Sequence, residues 1–337
     1  MTGFFELTPE QQVRRFELAG HDALRQWGFS DASLELIKHR ENAVFKVEKD
    51  NFRAALRIHR HGYHTNDELR SELQWMQALS ESGVLVPNVI PTQSGDLFID
   101  YSGDALPGKL QIDLFEWIEG KQLGSVEAGI SDAAEVDAVY GSIGELAAKV
   151  HNQATSWQLP EGFVRHAWDA EGLAGENPFW GQFWKLAAAS NPETELLERG
   201  RDRVFQDLSA LAKSPDKYSM IHADFAPENL MVDGNEVRLI DFDDAGFGWH
   251  LFELATSLYF IQEEPYFQQA KDALIAGYRR HRQLTDTELE MLPLFFLARG
   301  FTYIGWVHTR HETETARELT PMLLKTACEL AEDYLNH

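Results

Sequence analysis

The hydrophobic period of this chain changes near Gly120, and that change limits the folds open to it. Upstream the alternation is short. Ala43, Phe45 and Val47 alternate with Val44, Lys46 and Glu48, and Phe52, Ala54, Leu56 and Ile58 alternate with Arg53, Ala55, Arg57 and His59. A period of two marks half-buried strands, and Asp50-Asn51 between the runs supplies a turn, so residues 43–58 read as a hairpin. Strand-like segments follow at 84–90, 97–101 and 110–118, before Gly120. Two helices flank the hairpin. The first, over 8–27, has Thr8 as N-cap and Pro9 at the first helical position, and Gly28 stops it. The second opens at Thr65-Asn66, carries Leu69, Leu73, Met76 and Leu79 on one face, and ends at Gly83. Downstream of Gly120 the period is helical around 132–153, 193–213, 250–262, 264–283, 285–310 and 319–335. Only short apolar runs at 220–221, 230–232 and 237–240 interrupt it. The expected class is α+β, with a small β-rich lobe over 1–117 and a larger helical lobe over 118–337.

With 337 residues the chain is long for one core, which suits two unequal lobes. Its formal net charge of −24 repels nucleic-acid backbones and anionic membrane surfaces, and no local basic stripe offsets it. No nucleic-acid or membrane partner is expected. The most apolar stretch, 292–307, is interrupted by Arg299 and reads as a buried helix. Residues 1–15 lack the pattern of a secretory signal. One cysteine, Cys328, allows no intrachain disulfide and has no nucleophile-like surroundings. A cytoplasmic location is the expectation.

The chemistry concentrates in one stretch. His222-Ala223-Asp224-Phe225-Ala226-Pro227-Glu228-Asn229 is followed by Leu239-Ile240-Asp241-Phe242-Asp243. Phosphoryl transfer from a nucleotide needs a carboxylate to orient and deprotonate a hydroxyl, and oxygen ligands for a divalent metal on the phosphates. Asp224 suits the first role. Asn229 and Asp241 suit the second, because Mg²⁺ takes hard oxygen ligands. A loop from 224 to 229 can turn both side chains to one point, and a hairpin over 230–240 can return the backbone so that Asp241 faces it too.

These motifs resemble the catalytic and metal-binding loops of the aminoglycoside phosphotransferase-like family. That family includes choline kinases, type II homoserine kinases and fructosamine kinases, and looks related to protein kinases. The resemblance spans about residues 35–260. It implies a two-lobe, protein-kinase-like fold, use of ATP and Mg²⁺, and transfer of the γ-phosphoryl group to a small-molecule hydroxyl acceptor. Ala223 stands where protein kinases usually carry Arg, Asp243 where they carry Gly, and no A-P-E-like segment follows Asp241. These departures favour a small acceptor over the competing reading, a bacterial Ser/Thr protein kinase. A non-catalytic nucleotide-binding module is disfavoured by the intact Asp224, Asn229 and Asp241.

The resemblance also assigns the nucleotide side. Residues 41–47, from Glu41 and Asn42, resemble the phosphate-covering turn. Arg57 stands where the family carries a phosphate-binding Lys, with Glu72 as its expected partner and Glu68, one turn earlier, as the alternative. The strand through Glu116, Trp117 and Ile118 would join the lobes and pair its backbone with adenine. His59, His61 and His64 read as a surface turn, and His151 as a structural histidine. Arg299, Tyr303 and Trp306 share a helical face that is either core or a wall of the acceptor pocket. Asp243 and Asp244, with Glu253 nearby, would favour a cationic acceptor such as an amino alcohol or an aminoglycoside-like compound. Arg299 in that pocket could instead hold the carboxylate of a hydroxy amino acid. In a further alternative, Asp243 is a second metal ligand and Asp244 caps a turn.

Overall fold

The computed structural model describes residues 4–39, 42–103, 106–123, 133–233 and 236–337. The elements run α1 (Pro9–Ala23), β1 (Ser33–His39), β2 (Ala43–Lys49), β3 (Phe52–Ile58), α2 (Asn66–Glu81), β4 (Phe98–Tyr101), β5 (Leu110–Glu116), β6 (Lys121–Gln122) and α3 (Ala133–Ser156). Then come β7 (Ala167–Trp168), α4 (Ala170–Ala174), α5 (Asn191–Ala210), β8 (Tyr218–Ile221), β9 (Leu230–Asp233), β10 (Glu236–Leu239) and β11 (Gly246–Trp249). The chain finishes with α6 (His250–Leu258), α7 (Phe267–Arg279), α8 (Asp286–Leu289), α9 (Leu292–Thr309) and α10 (Glu314–Leu335). Contacts divide it into two units. One comprises Met1–Lys121, Leu159–Val164 and Met231–Ile240; the other comprises Gln122–Gln158, Arg165–Leu230 and Asp241–His337.

The first unit is a five-stranded antiparallel sheet in the order β1-β2-β3-β5-β4. Its period-two pattern decides its faces. Phe45, Val47, Leu56, Ile58, Ile112 and Leu114 turn to one side and bury against Phe16, Leu24 and Trp27 of the N-terminal helical segment. Arg57, out of phase with Leu56 and Ile58, points to the other side, where α2 supplies Glu72. Both flanking helices begin on capping boxes, Thr8 with Gln11 and Thr65 with Glu68. The expected strand over 84–90 is instead an extended segment joined to β5 by one bridge, Val89 to Phe115. Pro87 and Pro91 have no N–H to give, so a ladder cannot run there.

The second unit is helical around a small sheet, β7-β11-β8. β11 was not foreseen, since Gly246-Phe247-Gly248-Trp249 has little strand character. Its glycines serve proximity: a Cβ on Gly248 would lie 2.4 Å from Ile221 Cδ1. Every residue of α6 is buried, and α9, apolar on nearly all sides, is buried along most of its length. No helix among the described residues is long and apolar enough to cross a membrane. The α3–α7 contact is close enough to exclude side chains. A Cβ on Gly144 would meet the Leu274 carbonyl oxygen at 1.9 Å, and one on Gly277 would meet that of Gly141 at 2.1 Å. Above this contact a buried polar cluster forms. His151 of α3 bonds Tyr278 of α7 at 2.9 Å and Glu253 of α6 at 3.3 Å, and its ring stacks on His250 at 4.1 Å. His151 is thus structural, as its position in a helix suggested.

Two consequences can be measured. Gly144→Ala gains about 1 kcal/mol of helix propensity but overpacks a backbone contact, which costs about 1–3 kcal/mol or more, so the urea midpoint should fall. An unchanged midpoint would mean that the two helices do not touch. Burial pushes the imidazole of His250 well below the usual range, with His151 and Arg282 adding to it. A depressed folded value means that the unfolded chain binds the proton first. The stability it contributes is therefore full above about pH 6.5 and is lost as pH falls below that. Burial and Arg282 depress His151 likewise, while burial raises Glu253, which acts in the opposite sense. A comparison of His250→Gln with the parent isolates one histidine: between pH 7.5 and 5.5 the parent should lose about 1 kcal/mol more than the variant. Equal losses would remove His250 from the linkage.

Candidate active site

In the first unit the site is built around Arg57. The β3–β5 register sets Arg57 directly opposite Asp113. The guanidinium makes two parallel bonds to that carboxylate, Nε to Oδ1 at 3.1 Å and Nη2 to Oδ2 at 2.7 Å. Nη2 also reaches Glu72 Oε1 at 2.7 Å. Glu72 and Asp113 are fully enclosed. Burial alone would raise the Asp113 carboxyl, but the charges of Arg57 and His59 outweigh it and hold it below the usual range. Of the two candidate partners, Glu72 meets Arg57, while Glu68 accepts from Thr65 N at 2.8 Å in the capping box of α2. Asp113 was missed; alternation placed it on the Arg57 face of β5, but nothing local singles it out.

The histidine cluster is not a surface turn. His59 and His64 are buried and only His61 is exposed. His59 Nε2 lies 3.0 Å from Asp113 Oδ2, because it follows Arg57 by two residues and shares its face. Asn42 Oδ1 accepts the Arg60 backbone N–H at 3.0 Å, which ties the start of β2 to the end of β3; Glu41 lies outside the described residues. Glu116 accepts from Asn88 Nδ2 at 2.8 Å, and its backbone N–H donates to the Asn88 carbonyl. Trp117 and Ile118 follow the end of β5, half-buried, with Lys46 Nζ 5.2 Å from the Trp117 ring centre.

In the second unit, β8 delivers the chain to His222-Ala223-Asp224. Ala223 has φ of 65°, a left-handed conformation that is costly for a residue with a Cβ. Glu253 of α6 holds that backbone. Its carboxylate accepts from His222 N at 3.0 Å and Ala223 N at 2.6 Å. Burial pushes the Glu253 carboxyl above the usual range, and the His222 charge and the two backbone N–H groups pull it part of the way back. Glu253 is fully enclosed beneath the loop, so it adds no exposed negative potential for an acceptor, contrary to the expectation from its place in sequence.

Asp224 is gripped on both oxygens. Asn229 Nδ2 donates to Oδ2 at 2.8 Å and to the Asp224 carbonyl at 2.9 Å. Arg299 Nη2 donates to Oδ1 at 2.8 Å. With its amide nitrogen spent on Asp224, Asn229 has its oxygen left for another partner. Asp241 follows β10 with φ of 67° and an exposed carboxylate. An amide oxygen and a carboxylate are hard donors, which fit a hard divalent cation such as Mg²⁺. Phe242 packs edge-on against His222 with ring centres 4.7 Å apart, which couples the two loops through their apolar residues.

The remaining candidates divide. The Asp243 carbonyl accepts from Arg165 Nη2 at 2.6 Å and its side chain is buried. Asp244 Oδ1 accepts from Trp180 Nε1 at 3.1 Å, and its carbonyl accepts from Trp168 Nε1 at 2.8 Å. Arg299 is fully buried. Its Nη groups donate to Asp224, to the Ala223 carbonyl at 3.0 Å and to Tyr303 Oη at 2.9 Å, while Nε has no partner among the described residues. That corrects the idea that Arg299 reaches out to an acceptor carboxylate. Tyr303 joins this group, while the ring of Trp306 packs against the Arg310 guanidinium at 5.3 Å. Trp180 and Arg165 were also missed, and neither lies in a motif.

The chain matches the model of the phosphotransferase enzyme family over residues 33–287. It is 31% identical over 291 residues to an uncharacterized protein of Deinococcus radiodurans, covering 83% of this chain and 78% of that one. Among solved structures, a microcompartment-associated aminopropanol kinase is similar with a TM-score of 0.82 and 30% identity, covering 94% of this chain and 96% of the other. An amicoumacin kinase in complex with AMP-PNP and Ca²⁺ shares the fold, with a TM-score of 0.73, 18% identity and coverage of 97% and 94%. The chain therefore belongs to the phosphotransferase enzyme family, and it is a kinase of that family with the kinase-like fold, transferring a phosphoryl group to a hydroxyl of a small molecule.

Proposed function

We propose that this kinase transfers the γ-phosphoryl group of Mg-ATP to the hydroxyl of a small amino alcohol. The observation that carries the reading is the two-point grip on Asp224, by Asn229 on one oxygen and Arg299 on the other. A carboxylate fixed in this way is preorganised to receive a proton from an oriented hydroxyl. The acceptor oxygen bonds to the γ-phosphorus, the bond from that phosphorus to the bridging oxygen of ADP breaks, and the acceptor proton passes to Asp224. Asn229 and Asp241 would hold Mg²⁺, whose charge offsets that of the phosphates. Arg57, fixed by Glu72 and Asp113, presents its charge to phosphate oxygens. Asn42 steadies the covering turn, and the backbone at 116–118 pairs with adenine.

The acceptor class follows from charge. Asp224 and Asp244 are both carboxylates on elements of the catalytic unit, a combination that suits an ammonium group, whereas the Trp180 and Tyr303 rings are taken by the Arg299 guanidinium. Arg299, which could otherwise hold the carboxylate of a hydroxy amino acid, is committed to Asp224. The likeness to an aminopropanol kinase supports the same class. A protein acceptor is disfavoured: from Asp241 the chain passes through β11 straight into α6, with no segment to seat a polypeptide.

Three outcomes are expected. Asp224→Asn should retain ATP affinity by calorimetry and lose roughly 10²-fold or more in turnover, the scale of a lost general base. Near-parent turnover would take Asp224 out of the mechanism. Asp241→Ala should lose the Mg²⁺ dependence of ATP binding; an unchanged Mg²⁺ effect would put the metal elsewhere. In matched acceptor pairs, 1-amino-2-propanol against 2-propanol for instance, the amine-bearing member should turn over at least about tenfold faster, the worth of one modest charge contact. Equal rates would end the amino-alcohol assignment.

A further inference from the structure

Arg299 is the largest charged side chain with no solvent exposure among the described residues, and it lies in the middle of the apolar helix α9. An unpaired guanidinium there would be costly, so its partners explain its presence. They converge on one short loop. Nη1 donates to the Ala223 carbonyl at 3.0 Å, and Nη2 donates to Asp224 Oδ1 at 2.8 Å and to Tyr303 Oη at 2.9 Å. Three rings surround the cation, with centres 4.2 Å away for Tyr303, 4.9 Å for Trp180 and 5.6 Å for Phe252. The left-handed turn at Ala223 makes this possible: its N–H goes to Glu253 and its carbonyl to Arg299, so the residue before Asp224 is strung between two buried charges.

We propose that Arg299 is the positioning residue of the catalytic carboxylate, with Tyr303 as its brace. It acts through Asp224 and does not touch the acceptor. The inference rests on Asp224 being the group that takes the acceptor proton as the oxygen–phosphorus bond forms and ADP departs. Each Asp224 oxygen has two acceptor sites, and Arg299 and Asn229 take one on each. The sites that remain lie in a fixed plane, and that plane sets the direction from which the hydroxyl proton is removed. A planar fork explains the choice of residue. It spans a carboxylate, a carbonyl and a hydroxyl while stacking on an aromatic face, which an ammonium cannot do. Burial pushes the Tyr303 phenol up; Arg299 opposes this and Asp224 adds to it, so Tyr303 stays a neutral hydroxyl that can accept from Arg299.

The test uses Arg299→Gln, Arg299→Lys and Tyr303→Phe, each in the parent and in the Asp224→Asn background. Turnover of Mg-ATP is followed with 1-amino-2-propanol and with water as acceptor, alongside ATP affinity and thermal midpoint as measures of folding. Arg299→Gln should lower kcat about 10²-fold, and Arg299→Lys, which keeps the charge, about 10-fold, with KM for ATP and for the acceptor within about threefold of the parent. Tyr303→Phe should cost about 3-fold to 10-fold, the loss of one neutral hydrogen bond. In the Asp224→Asn background, Arg299→Gln should cost less than about 2-fold more, because residues that act as one unit are not additive. Parent-like kcat in a folded Arg299→Gln overturns the proposal. So does a raised acceptor KM with kcat retained, which would place Arg299 against the acceptor, or a loss that multiplies in full with that of Asp224→Asn. Should Arg299→Gln fail to fold, Arg299→Lys and Tyr303→Phe carry the same comparisons. An active Asp224→Asn sinks the assignment of Asp224 and this inference with it; an inactive Asp224→Asn beside an unimpaired Arg299→Gln sinks this inference alone.

Discussion

Glu253 is a carboxylate without access to water, and the loop that carries Asp224 hangs from it. It accepts the N–H groups of His222 and Ala223, two donors that the turn leaves without a strand or helix partner. Such burial is costly for a carboxylate, and its raised pKa records the cost. The return is geometric. Ala223 is held at a backbone angle that a residue with a Cβ adopts only when its surroundings insist. That angle points the next side chain, Asp224, at Asn229 and Arg299. Were Glu253 to move, the loop would lose its anchor, and the grip on Asp224 would go with it.

The first unit uses the same principle with the sign reversed. There a buried cation, Arg57, is held by two carboxylates, one on a neighbouring strand and one on a helix. Neither carboxylate alone would fix the fork. Asp113 sets its plane through two parallel bonds, and Glu72 ties that plane to α2. Burying three charges adds little net stability, and pairs of this kind serve to hold one geometry against others. His59, just past the end of β3, extends the set and helps to keep Asp113 ionised.

In each unit, then, a candidate site side chain is held by buried charged groups. These are places where local preference is overridden, at Ala223 and Asp241 by positive φ and at Arg57, Glu253 and Arg299 by burial of charge. Sequence rules fail at such sites for a reason: packing around the site compensates for what the local chain disfavours.

Much was legible in the residues alone. The period-two runs of β2 and β3 and the capping box at Thr65 have local causes, so spacing reports them. The choice between Glu68 and Glu72 stayed open in the residues, and the fold settled it: Glu68 is spent on the helix start and Glu72 meets Arg57. The loops that carry Asp224 and Asp241 are each contiguous, and their register survives in one dimension. The tertiary structure decided the rest. Asp113 meets Arg57 across 56 residues, Arg299 meets Asp224 across 75, and Glu253 meets His222 across 31. No periodicity links positions so far apart, because strand and helix periods act over a few residues only. A buried charge looks in sequence like any surface charge until the chain has folded, and the sequence supplied these partners without saying which of them would meet.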